Sequence, residues 1–293
     1  MALIEKGDPN FLQQYRPMMD EIINKYIEVH SKEERSYEVG GLYYFYTHRF
    51  DEAKKFFYGY VEEYPEDQSA SVALVECLMY LECWEELSQE GRKAYARFPE
   101  EYTFLELAAI GDYHLGNYDK VLEVCSELLS LVDDEAKAAG ILATAGDAYY
   151  NLNDKKNAYK AYDAVLKMDP DNLYVLNNYA YYLCLDGRNL KKAYEMSRKT
   201  IEAEPDNVTY MDTFGWILYL QGKYIEARPI FKNAMLHGGK ESAVILDHYA
   251  EVLYALGEYD MAFIYWNLAM QKDTADVPGL REKVDARRQE VKK

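Results

Sequence analysis

The strongest constraint on this chain is a period. Seven segments read alike: YTHRFDEAKKFF, YLECWEELSQEG, YHLGNYDKVLEV, YNLNDKKNAYKAY, LDGRNLKKAYEM, YLQGKYIEARPIF and YALGEYDMAFIYW, each a helix end, a polar turn and a new helix start. The anchor after each turn falls at Ala53, Leu87, Val121, Ala158, Ala193, Ala227 and Ala262, with spacings of 34, 34, 37, 35, 34 and 35 residues. Such self-similarity marks an array of small units, each burying its apolar face only against its neighbours. A length of 293 residues would otherwise suggest two globular domains; the period predicts one stack of like units instead. With 16 Gly and 8 Pro the chain is poor in turn residues, which favours long helices over many short strands.

The pattern resembles the tetratricopeptide repeat, a helix-turn-helix unit of about 34 residues. With the anchor numbered position 20, the family's small residue at position 8 falls on Gly41, Val75, Ala109, Gly146, Ala180, Gly215 and Ala250. Two helices approach closely only where one side chain is small, which explains both positions. Phe57, Tyr162, Phe231 and Trp266 supply the large residue expected at position 24; Cys125 is smaller, and Gly91 and Ser197 depart from the pattern. Position 27 is small at Ala94, Ala234 and Ala269, and Pro65, Pro99, Pro170 and Pro205 end second helices at position 32.

The resemblance implies an all-α, right-handed superhelical solenoid of about seven repeats, at 34–67, 68–101, 102–138, 139–172, 173–207, 208–242 and 243–276. Repeat three carries a three-residue extension, LVDDEAKAAG before repeat four predicts a longer loop, and LDGRNL holds one extra turn residue. The segments VLNNYAYYLCLDGRNLKKAYEM, YMDTFGWILYLQGKYIEA and AEVLYALGEYDMAFIYWNLAMQ look similar to bacterial envelope-associated members of the family, many of which are exported or lipid-anchored.

Residues 1–33 are expected to form an N-terminal capping helix or degenerate repeat, since 9–31 show helical apolar spacing and an array needs its first face covered. Pro17 is expected near a helix start. Residues 277–293 predict a C-terminal capping helix with Leu280 and Val284 on one face. That segment carries +3, which leaves −21 of the formal −18 on the remainder. A solvated cap accounts for it; the alternative is a basic tail docked on an acidic face of its own or another copy.

The resemblance further implies that positions 2, 5, 9, 12 and 13 of each first helix line the groove. Position 5 contributes Glu38, Glu106, Asn177, Asp212 and Asp247, and position 9 Glu76, Asp147, Tyr181, Trp216 and Glu251. Position 12 runs Phe45, Met79, Tyr113, Tyr150, Cys184, Tyr219 and Tyr254, with Tyr46, Tyr80 and His114 at position 13. The groove is thus expected to be aromatic and acidic. Some family members grip the carboxylate of chaperone tails with Lys, Asn and Arg at these positions; here an acidic tail meets like charge. A peptide or helix with basic and apolar side chains fits instead, because rings stack on Arg or Lys and give rigid contact area.

A surface this acidic makes nucleic acid a poor partner, and no run of 18 apolar residues suggests membrane insertion. Cys77, Cys83, Cys125 and Cys184 have no metal-ligand spacing and read as reduced packing thiols. There is no HExxH, GxSxG, GxxxxGK[ST] or GxGxxG; no metal site, cofactor or catalytic set is expected. DPDN at 169–172 and EPDN at 204–207 read as inter-repeat turns. The start, MALIEKGDPNFLQQYRP, has no apolar run suited to a signal peptide, which reads as cytoplasmic as written, or as periplasmic if a leader was removed. The expectation is a non-catalytic scaffold for a protein or peptide partner. Self-association as a homodimer through the basic tail, and less readily an enzyme with a carboxylate site, are the alternatives.

Overall fold

The computed structural model describes residues 9–291 except 273 and 276, with side chains from Gln14 onward in the first helix. The parts of the expected caps at 1–8 and 292–293 lie outside the described residues. Among those described, the fold is all-α, with sixteen α-helices and a short 3₁₀ turn. The chain forms two compact units, Met1–Ala161 and Tyr162–Lys293.

The first unit holds α1 (Pro9–Val29), α2 (Glu34–Tyr46), α3 (Phe50–Glu63), α4 (Gln68–Tyr80), α5 (Trp84–Arg97), α6 (Thr103–His114), α7 (Tyr118–Leu131), α8 (Glu135–Asn151) and the start of α9 (Lys155–Met168). The second holds the rest of α9, then α10 (Leu173–Leu185), α11 (Leu190–Ala203), α12 (Val208–Leu220), α13 (Tyr224–Ala234), α14 (Ala243–Ala255), α15 (Tyr259–Ala269) and α16 (Leu280–Val291).

One backbone device closes all seven hairpins. The residue at each turn is left-handed: His48 (φ 58°), Glu82 (55°), Gly116 (74°), Asn153 (62°), Gly187 (60°), Gly222 (75°) and Gly257 (79°). Its N–H reaches back three residues and the next N–H reaches back five, as in His48 to Phe45 (3.0 Å) and Arg49 to Tyr44 (2.8 Å). This pair of bonds satisfies the last carbonyls of the first helix. The extra residue of LDGRNL is absorbed by a second left-handed residue, Asn189 (φ 43°), whose side chain caps α11 at Lys192 N.

The seven anchors Ala53, Leu87, Val121, Ala158, Ala193, Ala227 and Ala262 are all 0% exposed. The small position 8 is explained by the ring opposite: a β-carbon on Gly215 would lie 2.6 Å from the Phe231 ring, and one on Gly41 would overlap Phe57. The departure at Gly91 has its own cause. A β-carbon there would meet the Phe104 carbonyl at 2.7 Å, and one on Gly111 would meet the Trp84 carbonyl at 2.6 Å. Backbones of α5 and α6 therefore touch directly, and a large residue at position 91 has no room.

Two local expectations are corrected. LVDDEAKAAG does not form a longer loop: only 132–134 link α7 to α8, and the surplus lengthens α8 to 17 residues. Asp134 accepts from Lys137 N and caps that helix, while the Ala-rich stretch favours helix. Pro17 lies inside α1 rather than at its start. The helix opens at Pro9, where a missing N–H costs nothing. α1 is fastened to the first hairpin by polar contacts: Asp20 accepts from Tyr43 (2.8 Å) and pairs with Arg49 (2.6 Å), whose guanidinium lies over the rings of Tyr43 and Tyr44.

Candidate functional site

In the first unit, Glu38 of α2 and Glu76 of α4 both line a cleft of about 310 Å³. Leu42, Phe57, Val72 and Ala73 supply its apolar lining, and Tyr60, Gln68 and Ser69 complete it. Both carboxylates are exposed, and neither forms an ion pair or hydrogen bond among the described residues. A second cleft of about 250 Å³ shares the Val72–Glu76 wall and continues to Glu101, Thr103 and Leu107. Glu101 accepts from Thr103 Oγ1 (2.7 Å) and Gln68 Nε2 (3.3 Å). Leu42, Val72, Leu107 and Glu101 are not among the residues expected from sequence; Leu42 and Val72 stand at positions 9 and 5, where the expectation rested on charged, amide and aromatic side chains.

Aromatic rings stand near the C-terminal ends of the same first helices. Tyr80 is 56% exposed and packs against Phe45 and Phe50, centroids 5.1 Å apart in each case, while Tyr46 lies edge-on to Phe45. Glu106 is half-buried, and burial raises its carboxyl above the ordinary value against the pull of Lys137. Tyr113 packs edge-on to Tyr118; burial, with Asp147 nearby, pushes its phenol up to about 12. Asp147 is itself buried, and Tyr150 lies against Tyr159 with Lys155 above its ring.

The second unit is built differently. Asn177 is buried, and Tyr181 is half-buried beside Tyr182. Asp212 is buried and accepts from His248 Nδ1 at 2.8 Å. Trp216 stacks between His248 and Tyr219, with centroids 4.0 and 4.6 Å away. Tyr219 donates to Glu251 (3.3 Å), and its phenol is pushed up to about 12, by burial first and by Glu251 next.

In the last hairpin the acidic row is already engaged. Asp247 accepts from Trp266 Nε1 (2.8 Å) and from Lys283 of α16. Glu251 pairs with Lys283 (3.2 Å) and Arg287 (3.2 Å). Tyr254 donates to Glu290 (2.9 Å) and carries the Arg287 guanidinium 4.6 Å above its ring. The basic segment thus docks on an acidic face of its own chain. Asp247, Glu251 and Tyr254, expected to line an open groove, lie beneath it. The tail's +3 was the signal in the sequence; the register of docking was not.

Three of the cysteines are buried and Cys83 is half-buried, all with free thiols; burial pushes Cys77 up to about 11 and Cys125 and Cys184 up to about 12. Such thiols are poor nucleophiles and poor ligands.

Residues 139–172 match the family model described as tetratricopeptide repeat. Over those residues the chain matches one repeat of that family. A crystal structure of a tetratricopeptide repeat protein from Parabacteroides merdae is similar in fold, with a TM-score of 0.69 at 14% identity, covering 87% of this chain and 98% of that one. A chain in the crystal structure of the APC/C hetero-tetramer Cut9–Hcn1 is also similar in fold, with a TM-score of 0.64 at 14% identity, covering 92% of this chain and 52% of that one. A pilF structure from Pseudomonas aeruginosa gives a TM-score of 0.51 at 20% identity over 70% of this chain and 92% of its own. No curated protein matches the sequence. Tetratricopeptide-repeat proteins are in general scaffolds for protein–protein interaction, and this chain has that fold.

Proposed function

We propose that the chain is a non-catalytic interaction scaffold of seven repeats, 34–67 through 243–276, between the caps 1–33 and 277–293, and that its first unit captures a peptide or helix with basic and apolar side chains. One observation carries this reading: Glu38 and Glu76 are exposed, unpaired carboxylates that line one cleft together with Leu42, Phe57, Val72 and Ala73. In the second unit the chain satisfies the acids of its first helices, Asp212 with His248, Asp247 with Trp266 and Glu251 with Lys283 and Arg287. An apolar segment buries area in the cleft, while a Lys or Arg beside it meets a carboxylate at the rim. Tyr80 and Phe45 extend the contact as stacking surfaces for a cation.

Fluorescence anisotropy with a labelled Lys/Leu peptide and its Glu/Leu counterpart tests the proposal. The basic peptide is expected to bind, with affinity that falls as salt rises. Glu38→Lys/Glu76→Lys is expected to weaken it by about tenfold or more, since two like charges then face the ligand. Equal binding to wild type and variant, or equal binding of both peptides, would refute the cleft.

A further inference from the structure

We propose that Asp247, Glu251 and Tyr254 form a second binding site, for a helix carrying two cationic side chains one turn apart, and that α16 is a tethered occupant which such a partner helix displaces.

The contact is organised as a ligand in a site. Lys283 and Arg287 are four residues apart and share one face of α16. The carboxylates that receive them, Asp247 and Glu251, are likewise four apart on α14. Lys283 bridges both, and Arg287 takes the second oxygen of Glu251 while lying over Tyr254. Val284, beside Lys283, is 1% exposed and Leu280 is 3% exposed; both join the core around Trp266. Arg288 adds a stacking contact on Phe263 and a hydrogen bond to Asn267 (3.0 Å). The recognised pattern is therefore compact: an aliphatic residue next to a cation, with a second cation one turn on.

The attachment is also separable in kind. α16 contributes only Leu280 and Val284 as buried apolar side chains; its other contacts are ion pairs, hydrogen bonds and cation–ring stacking, and the ion pairs weaken as salt rises. Ten residues, 270–279, join it to α15. A connection that short holds the helix at high effective concentration over the row, so a free ligand sees a site that is mostly filled. Charge selects the competitor: an acidic helix finds Asp247 and Glu251 repulsive, and an apolar one leaves them buried without a cation. This site is distinct from the Glu38–Glu76 cleft and stands or falls independently of it.

Two measurements on the full chain decide the matter. In hydrogen exchange of the wild-type chain, raising salt is expected to speed exchange of the α16 amides about tenfold, by screening its ion pairs, while α14 and α15 stay protected. Exchange of α15 and α16 together would show a structural cap and overturn the proposal. The second uses a labelled peptide with the sequence of residues 277–291. It is expected to bind Lys283→Glu/Arg287→Glu about tenfold or more tighter than wild type, because the tethered competitor is released while the row stays intact. Adding Glu251→Lys should abolish that binding. Equal affinity for wild type and the double variant, or undiminished affinity for the triple variant, would overturn it. If the double variant fails to fold, the exchange experiment on the wild-type chain gives the answer alone.

Discussion

Phe231 lies so close to Gly215 that a β-carbon on the glycine would sit 2.6 Å from its ring. The pair spans one hairpin, the small position of α12 against the large position of α13, and Phe231 is 0% exposed. Gly215→Ala is therefore expected to destabilise the second unit by about 1–3 kcal/mol through overpacking. Phe231→Leu in the same chain should return part of that loss, so the double variant costs less than the sum of the singles. Thermal unfolding followed by circular dichroism checks both; strict additivity would show that the two residues do not meet.

At Gly91 the obstacle is backbone, the Phe104 carbonyl at 2.7 Å, which cannot swing aside as a ring can. Gly91→Ala is expected to cost about 2–3 kcal/mol, as α5 and α6 must move apart. Glu82 is the opposite case. It is exposed and held at φ 55°, so Glu82→Gly relieves left-handed strain and should stabilise by about 0.5–1 kcal/mol despite the added freedom of the unfolded chain. Comparing the midpoints of the two variants with wild type tests the turn and the contact separately.

The tyrosines make alkaline stability readable. Burial pushes the phenols of Tyr43, Tyr113 and Tyr219 up to about 12. A folded value above the unfolded one, near 10, means that the stabilisation is intact below pH 10 and drains away as pH rises toward 12. Tyrosinate absorbance is expected to show a late phase in that window, coincident with loss of helical signal. Tyr219→Phe should shrink the late phase; an unchanged titration would contradict the burial of this phenol against Glu251.

Much of this architecture is legible in sequence because hairpin packing depends on residues at fixed offsets. Ala53, Ala193 and Ala262 mark where helices touch, and Gly41 and Gly215 where a ring from sixteen positions on needs room. Asn172 and Asn207 cap α10 and α12 where the DPDN and EPDN turns were read. Periodicity places a side chain on a face of its helix, however, and does not say what covers that face. Asp212 was assigned to an open groove because its partner, His248, stands 36 residues away in the next hairpin. Asp247 and Glu251 were assigned there because the docking register of α16 is a tertiary fact. Leu42 and Val72, the cleft walls, were passed over because charge and aromaticity were the signals sought. Pro17 and LVDDEAKAAG misled through local rules that a capped, Ala-rich helix and an early Pro9 start override.

The central claim is that a basic, apolar segment is held between Glu38 and Glu76. Methyl-resolved NMR during titration with the labelled Lys/Leu peptide tests it most directly. Saturable shifts are expected at Leu42, Val72 and Ala73, lost in Glu38→Lys/Glu76→Lys. Shifts confined to apolar residues exposed elsewhere, such as Ile264 and Leu268 of α15, with Leu42 and Val72 unmoved, would contradict it.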